Sequence, residues 1–378
     1  MNTELWSWNE NQNWVKITNS ERLENPGLVL FFFGSRIKDL EKRYLEIKNL
    51  FPNSFIAGCS TSGEILEEEL SDNGISLAAI QLDKSTIQTS ILSRIGKNDS
   101  FALGKELIEA LSKEGLNSVL LLSVGHGING SELIRGVSES LGKQIKVFGG
   151  LAGDGTFFEK TFVCANDVPS PDHLVAIGFY GENLKFRYGS VGGWNSFGPR
   201  RKITKSKDNV LYELDGKPAL DLYKSYLGEE ASRLPGSALL FPLQIFSAEN
   251  PDKKVVRTIL SVNEEEKSMT FAGNIPSNHF AQLMTASFEN LIDGAEKAAQ
   301  KSKMETDSHS LAILISCVGR KLVLGQRTVE EIEVVREVLG DNCRTVGFYS
   351  YGEISPNGEL LNCDLHNQTM TITQIYEI

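Results

Sequence analysis

One pattern occurs three times in this chain, and it narrows the possible folds more than any other feature. Each copy holds a short apolar run, a loop, an amphipathic helix, a second apolar run and a glycine-rich turn. The first copy opens at Leu28 with LVLFFFGSR, has its helix near Lys38–Asn49, and runs through Ser54–Ala57 into GCSTSGEI at Gly58–Ile65. The second opens at Ser118 with SVLLLSVGHGING, has its helix near Ser131–Leu141, and runs through Ile145–Phe148 into GGLAGDG at Gly149–Gly155. The third opens at Leu311 with LAILISCVGR, has its helix near Val329–Leu339, and runs through Arg344–Val346 into GFYSYGEI at Gly347–Ile354. Two apolar runs joined by one helix spell a βαβ unit, most simply right-handed with parallel strands. Superposing the copies pairs Gly58 with Gly347, Gly63 with Gly352 and Glu64 with Glu353. In the middle copy, Gly150 and Gly155 are expected at the two glycine positions. Such glycines mark a backbone with positive φ or a close approach by another group.

Antiparallel strands are expected after each turn: Ile75–Leu82 and Thr86–Ile95, then Phe157–Ala165, Leu174–Tyr180 and Leu184–Val191, then Thr369–Tyr376. The expected fold class is therefore mixed α/β, with repeated βαβ-plus-hairpin units forming mixed sheets in two associated domains. Gly192–Lys207 breaks the pattern and reads as the domain junction, with Arg200, Arg201, Lys202, Lys205 and Lys207 as a solvated basic loop. Beyond it, Ala219–Leu227 reads helical, and Leu239–Ser247 and Val255–Val262 read as strands. Ser277–Lys301 reads as the longest helix, N-capped by Ser277, with Phe280, Leu283, Met284, Phe288, Leu291 and Ile292 on one apolar face.

Charge and cysteine usage exclude several classes. The 378 residues carry a formal net charge of −11, which disfavours binding to a phosphate backbone. Five cysteines, an odd count without a CxxC pair, argue against a disulfide framework and fit a reducing compartment, so a cytoplasmic location is expected. The first residues lack a secretory pattern, and no apolar run approaches the ~20 residues of a membrane span.

Gly125–Gly130 is a literal GxGxxG between a strand and a helix. A dinucleotide site also needs an acidic residue at the end of the next strand, and here that strand ends in Phe148-Gly149-Gly150. NAD binding is not expected, and no P-loop occurs. The five histidines show no paired spacing, so no zinc site is expected. His126 and His366 are the candidates for a single axial haem contact. Cys59 and Cys317 end apolar runs, where cysteine is ordinarily an inert hydrophobe, although Arg320 lies close enough in sequence to Cys317 to lower its thiol pKa.

Ligands in α/β sheets lodge beyond the carboxyl ends of strands. The candidate ligand site therefore gathers Cys59, Ser60, Thr61, Ser62 and Glu64 from the first turn and Gly150 and Asp154 from the second. Tyr349, Tyr351 and Glu353 come from the third, and Arg257, Cys317 and Arg320 lie nearby. An arginine facing a carboxylate would suit a zwitterion such as an amino acid; the same pair equally makes an ion pair between units.

The motifs GCSTSGEI, VFGGLAGDG and GSVGGWNSFGPRRKIT resemble the FIST N-terminal domain. LPGSALLFPL, VVRTIL, MTFAGNIP, SCVGRKLVLGQR, GFYSYGEISP and LHNQTMTIT resemble the FIST C-terminal domain. The resemblance implies an N-terminal extension at 1–26, a FIST N-terminal domain at 27–216 and a FIST C-terminal domain at 217–378. It further implies a non-catalytic, stand-alone sensor that binds a small ligand, amino acids foremost, and acts on a histidine kinase or chemotaxis component. No cofactor is expected, with haem and nitric-oxide sensing as the alternative in one branch of the family. Many relatives carry an aspartate where this chain has Gly125-His126-Gly127, so any role of that aspartate does not carry over.

Overall fold

The structure, a computed structural model, describes residues 1–142, 144–251, 254–306, 308–356 and 363–378. The first unit comprises β1 (Asn2–Asn9), β2 (Asn13–Lys16), β3 (Leu28–Gly34), α1 (Leu40–Leu50), β4 (Phe55–Thr61), β5 (Glu64–Leu66), β6 (Glu69–Ser71) and β7 (Ile75–Gln81). The second comprises β8 (Thr86–Ser93), α2 (Ser100–Glu109), β9 (Leu116–Ser123), α3 (Gly130–Leu141), β10 (Lys146–Leu151), β11 (Val163–Ala165) and β12 (His173–Tyr180). After β13 (Leu184–Val191) the chain leaves this repeat. It builds β14 (Trp194–Lys207), β15 (Val210–Leu214), β16 (Lys217–Pro218), α4 (Ala219–Leu227), β17 (Leu243–Phe246), β18 (Lys254–Arg257), β19 (Ile259–Asn263), β20 (Ser268–Phe271) and β21 (Phe280–Ala286). The third unit follows: α5 (Phe288–Ser302), β22 (Ser310–Cys317), α6 (Val318–Leu324), α7 (Thr328–Leu339), β23 (Cys343–Ser350), β24 (Gly352–Ser355), β25 (Asp364–His366) and β26 (Met370–Glu377).

Each unit builds one six-stranded sheet around a parallel pair, β3–β4, β9–β10 or β22–β23, so the mixed α/β class holds. The strands after each turn do not fold back as hairpins on their own unit. The strand just past the turn crosses to a neighbouring sheet: β5 pairs with β23, β24 with β10, and β11 with β4. The next strand returns home, as β7 on β3, β12 on β9 and β26 on β22. β8 then passes on to β12, and β13 to β26. β1 fills the matching place beside β7, so residues 1–26 are not a simple extension: β1 is an integral strand of the first sheet. Exchange of strands closes the three units into a ring.

Alternation along the strands explains the packing. In β3, Leu28, Leu30 and Phe32 face the shared centre, while Val29, Phe31 and Phe33 face α1. In β22, Leu311, Ile313 and Ile315 face the centre, and Ala312 and Leu314 face α5 and α7. Phe32 and Phe348 meet at the centre with ring centroids 4.6 Å apart. Burial on both faces is why these runs read as continuously apolar.

The remaining sheet, β14 to β21, forms an appended body with its own core, including Leu211, Tyr223, Leu243, Ile259 and Phe271. Two expectations change here. Gly192–Lys207 is not a loop: β14 pairs with β21 along one part and with β15 along another. The helix expected over 277–301 is a strand followed by a helix. Ala281 and Leu283 are buried with period two, and Ser287 rather than Ser277 caps α5, accepting from Asn290 N. The boundary at 216/217 falls in the tight turn between β15 and β16, which pair Leu214 with Lys217.

Candidate functional site

β4, β10 and β23 all run towards one pole of the ring, and their turns lock together there. Ser62 N donates to Tyr349 O at 2.8 Å, and Tyr349 N to Gly63 O at 2.9 Å. Gly153 N donates to Ser60 O at 3.0 Å, and Tyr351 N to Leu151 O at 3.1 Å. The equivalent glycines are Gly58, Gly149 and Gly347, not Gly150. A Cβ at these positions would lie 1.8, 1.9 and 1.9 Å from the carbonyl oxygen of Phe31, Leu121 and Leu314, their partners in register.

Two buried carboxylates hold the first and third turns. Glu64 accepts from Thr61 Oγ1, from Ser71 Oγ at 3.0 Å and from Gly74 N at 2.9 Å. Glu353 accepts from Ser350 Oγ at 2.7 Å and from Thr369 N and Oγ1 at 3.1 and 3.0 Å. Burial outweighs these bonds and raises both carboxyls to about 7. By strand register Val163 holds the third equivalent place, so the ring has two such acids. Asp154 behaves oppositely. Burial works against its charge, but His126, Tyr351 and the amides of Lys160 and Glu159 bring it down to about 2. The Phe158, Glu159 and Lys160 amides donate to it at 3.1, 2.8 and 2.8 Å, so it organises the loop after the second turn.

A cleft of about 470 Å³ opens at this pole, with walls from all three units. Of the residues expected near a ligand, Thr61, Ser62, Glu64 and Asp154 line it. Lys321 and Asp72 also line it and went unforeseen. Lys321 Nζ donates to Ser62 O at 2.8 Å and pairs with Asp72. The signal for Lys321 lay in SCVGRKLVLGQR: Arg320 and Lys321 are adjacent on α6, and one helical step of about 100° separates an inward from an outward side chain.

The other expected residues serve the interior. Arg320 is fully buried and donates to Glu331 at 2.7 and 3.1 Å, to Gly192 O at 2.5 Å and to Leu291 O at 2.7 Å. Tyr349 Oη joins the same carboxylate at 2.5 Å. Arg257 reaches Leu365 O at 3.2 Å and Ser131 Oγ at 3.3 Å, tying the appended body to the ring. Ser60 Oγ bonds Gly153 O at 2.9 Å, Tyr351 Oη bonds Asp154, and Gly150 pairs with Glu353 in the sheet. Cys59 and Cys317 are fully buried, and burial pushes both thiols well up. Arg320 therefore does not activate Cys317, because its guanidinium is turned to Glu331.

The GxGxxG loop has a structural use. Where a phosphate would sit, Gly130 N donates to Ala272 O at 3.0 Å, and Asn274 bonds Asn129, Ser131 and Glu132. The loop is thus the seat of the appended body. His126 Nε2 faces Asp154 Oδ1 at 3.7 Å, and His366 Nε2 lies 3.2 Å from Ser355 O. Each Nε2 thus faces an oxygen of the chain itself, while the His126 ring also lines a larger cleft beside the appended body. No helix among the described residues is long and apolar enough to cross a membrane.

Residues 27–217 match the FIST N domain and residues 219–356 the FIST C domain. The chain belongs to the FIST family. FIST domains are sensory domains of signal transduction. An uncharacterized protein of Methanocaldococcus jannaschii is 25% identical over 366 residues, covering 86% of this chain and 69% of that protein. Among solved structures, a cyanuric acid hydrolase from A. caulinodans aligns with 93% of this FIST chain and 89% of its own at 7% identity and a TM-score of 0.34. A second cyanuric acid hydrolase aligns with 100% and 99% at 8% identity and a TM-score of 0.30. Likeness this slight does not bear on chemistry.

Proposed function

We propose that this protein is a non-catalytic sensor that binds an amino acid or similar small metabolite at the turn pole. It relays occupancy to a signalling partner such as a histidine kinase or chemotaxis component. The observation that carries this reading is the 470 Å³ cleft, in which Lys321 stands with Asp72, Glu64 and Asp154. Charge of both signs beside the Thr61 and Ser62 hydroxyls suits a small zwitterion. Because all three units wall the cleft, a ligand there has different contacts when the units shift, which is what a ligand must have to bias a conformation. None of the five cysteines is in a disulfide among the described residues, which fits a reducing, cytoplasmic setting.

Titration calorimetry against a panel of amino acids is the direct test. One or more should bind, and Lys321→Ala should weaken that binding about tenfold, the worth of one charge-assisted bond. A panel with no binder would end the amino-acid reading. We propose no resident cofactor. For haem, the alternative, the test is a Soret band on haem addition that disappears in His126→Ala or His366→Ala.

A further inference from the structure

The ring leaves one long strand edge uncovered. β1, β8 and β13 hold equivalent places, on β7, β12 and β26 respectively. Natural sheets guard such edges with a covering element, charged side chains, proline or a bulge. β1 is covered by β2, and β13 exposes Lys185 and Arg187. β8 ends its sheet, and its sequence TIQTSILS holds no charge, no proline and no glycine. Among the described residues, β8 and β13 are the sheet edges of eight residues, and the others have five or fewer. We infer that two copies of this chain pair along β8, antiparallel about a two-fold axis, so that two six-stranded sheets become one. The inference is independent of the amino-acid reading.

In an antiparallel sheet every second residue of an edge strand turns its N–H and C=O away from its neighbour. In β8 the groups so turned meet no backbone partner among the described residues. Ile87, Thr89 and Ile91 share a face with Phe179, Ile177 and Val175 of β12, their partners in register. Those β12 residues are buried, whereas Ile91, with no strand beyond it, is 47% exposed. With Thr89 on the axis, Ile87 of each copy lies opposite Ile91 of the other, and these β-branched pairs cover the bare row. Charge favours a second copy as the occupant. The chain carries a net charge of −11, but residues 83–115, which span β8 and α2, hold five Lys or Arg and five Asp or Glu. Two copies therefore meet at this face without the repulsion of their net charge, and a neutral strand has no counter-charge to offer an ionic peptide. One strand pair about 27 Å long covers less than the ~800 Å² per partner of a standard interface, so the dimer dissociates in the micromolar range.

Sedimentation velocity of the full chain over about 1–300 μM should show a monomer converting to a dimer. Ile91→Lys and Thr89→Lys each set like charges against the partner strand and should weaken the dimer about tenfold or more. Leu45→Lys, at an equally exposed apolar residue on α1, should leave it unchanged. Amide hydrogen exchange in β8 should slow as concentration rises, while that in β13 should not. The inference falls if the chain stays monomeric throughout, which would leave the edge to a strand of another protein. It also falls if both β8 variants dimerise like the parent, if Leu45→Lys disrupts the dimer as much as they do, or if a dimer forms without slowing exchange in β8.

Discussion

Gly58 shows how tightly one position can be specified. Its added Cβ would meet Phe31 O at 1.8 Å, and a backbone atom in a central strand has nowhere to move. Gly58→Ala should lower stability by about 3 kcal/mol in urea denaturation, as overpacked cores do. Gly96 has φ +74° but open space around it, so Gly96→Ala should cost only the about 1–2 kcal/mol of left-handed backbone. The buried acids make a prediction about pH. Glu64 and Glu353 have folded values near 7, above the ordinary 4.5, so the folded state binds protons that the unfolded state has released. Their contribution to stability is complete below about 4.5 and is lost as pH rises through about 7. Urea midpoints measured across that window should fall with pH, and Glu64→Gln with Glu353→Gln should flatten the fall. Asp154 contributes in the opposite sense: its share is present above 3.8 and lost as pH drops through about 2. At this scale the sequence showed which polar residues gather near the turns. It did not show which way they point, because Arg320 and Lys321 differ only in helical phase.

The three βαβ units were legible because each strand is buried on both faces and each helix has one apolar stripe. The third helix, expected at Val329–Leu339, is α7 at Thr328–Leu339. The error over 277–301 has a physical origin. Phe280, Leu283 and Met284 fall at helical spacing by coincidence, while Ala281 and Leu283 follow the alternation the sheet uses. Capping separates the two readings. Ser287→Ala removes the side chain that accepts from Asn290 N and should cost about 1 kcal/mol, whereas Ser277→Ala should cost less than half of that. Thermal denaturation of the two variants side by side is the check. The exchange of β5, β11 and β24 between sheets had no signature in the sequence, since a strand pairs through its backbone and carries the same alternation whichever sheet receives it.

At the scale of the whole molecule, family division and structural division differ. The FIST N and FIST C matches meet between residues 217 and 219, inside the appended eight-stranded antiparallel sheet. The physical bodies are the ring, which takes both ends of the chain, and the appended sheet from β14 to β21. Composition cannot reveal this, because β14 leaves the ring and β21 returns to it as adjacent paired strands. The turns and the cleft they wall lie at one pole; at the other, the chain passes from β7 to β8 and from β12 to β13. The amine of Met1 sits there too, 2.9 Å from Asp83 and 3.3 Å from Glu377 at the end of β26. The step from β26 to β1 is therefore a third crossing of the same kind, made through space instead of through a peptide bond. The order in which the units are encoded is then a matter of where the circle is cut. A circular permutant that joins 378 to 1 through about six glycine and serine residues and opens between Asp83 and Lys84 should fold to the same ring. Its circular dichroism should overlay that of the parent, and any ligand of the far pole should bind it with unchanged affinity.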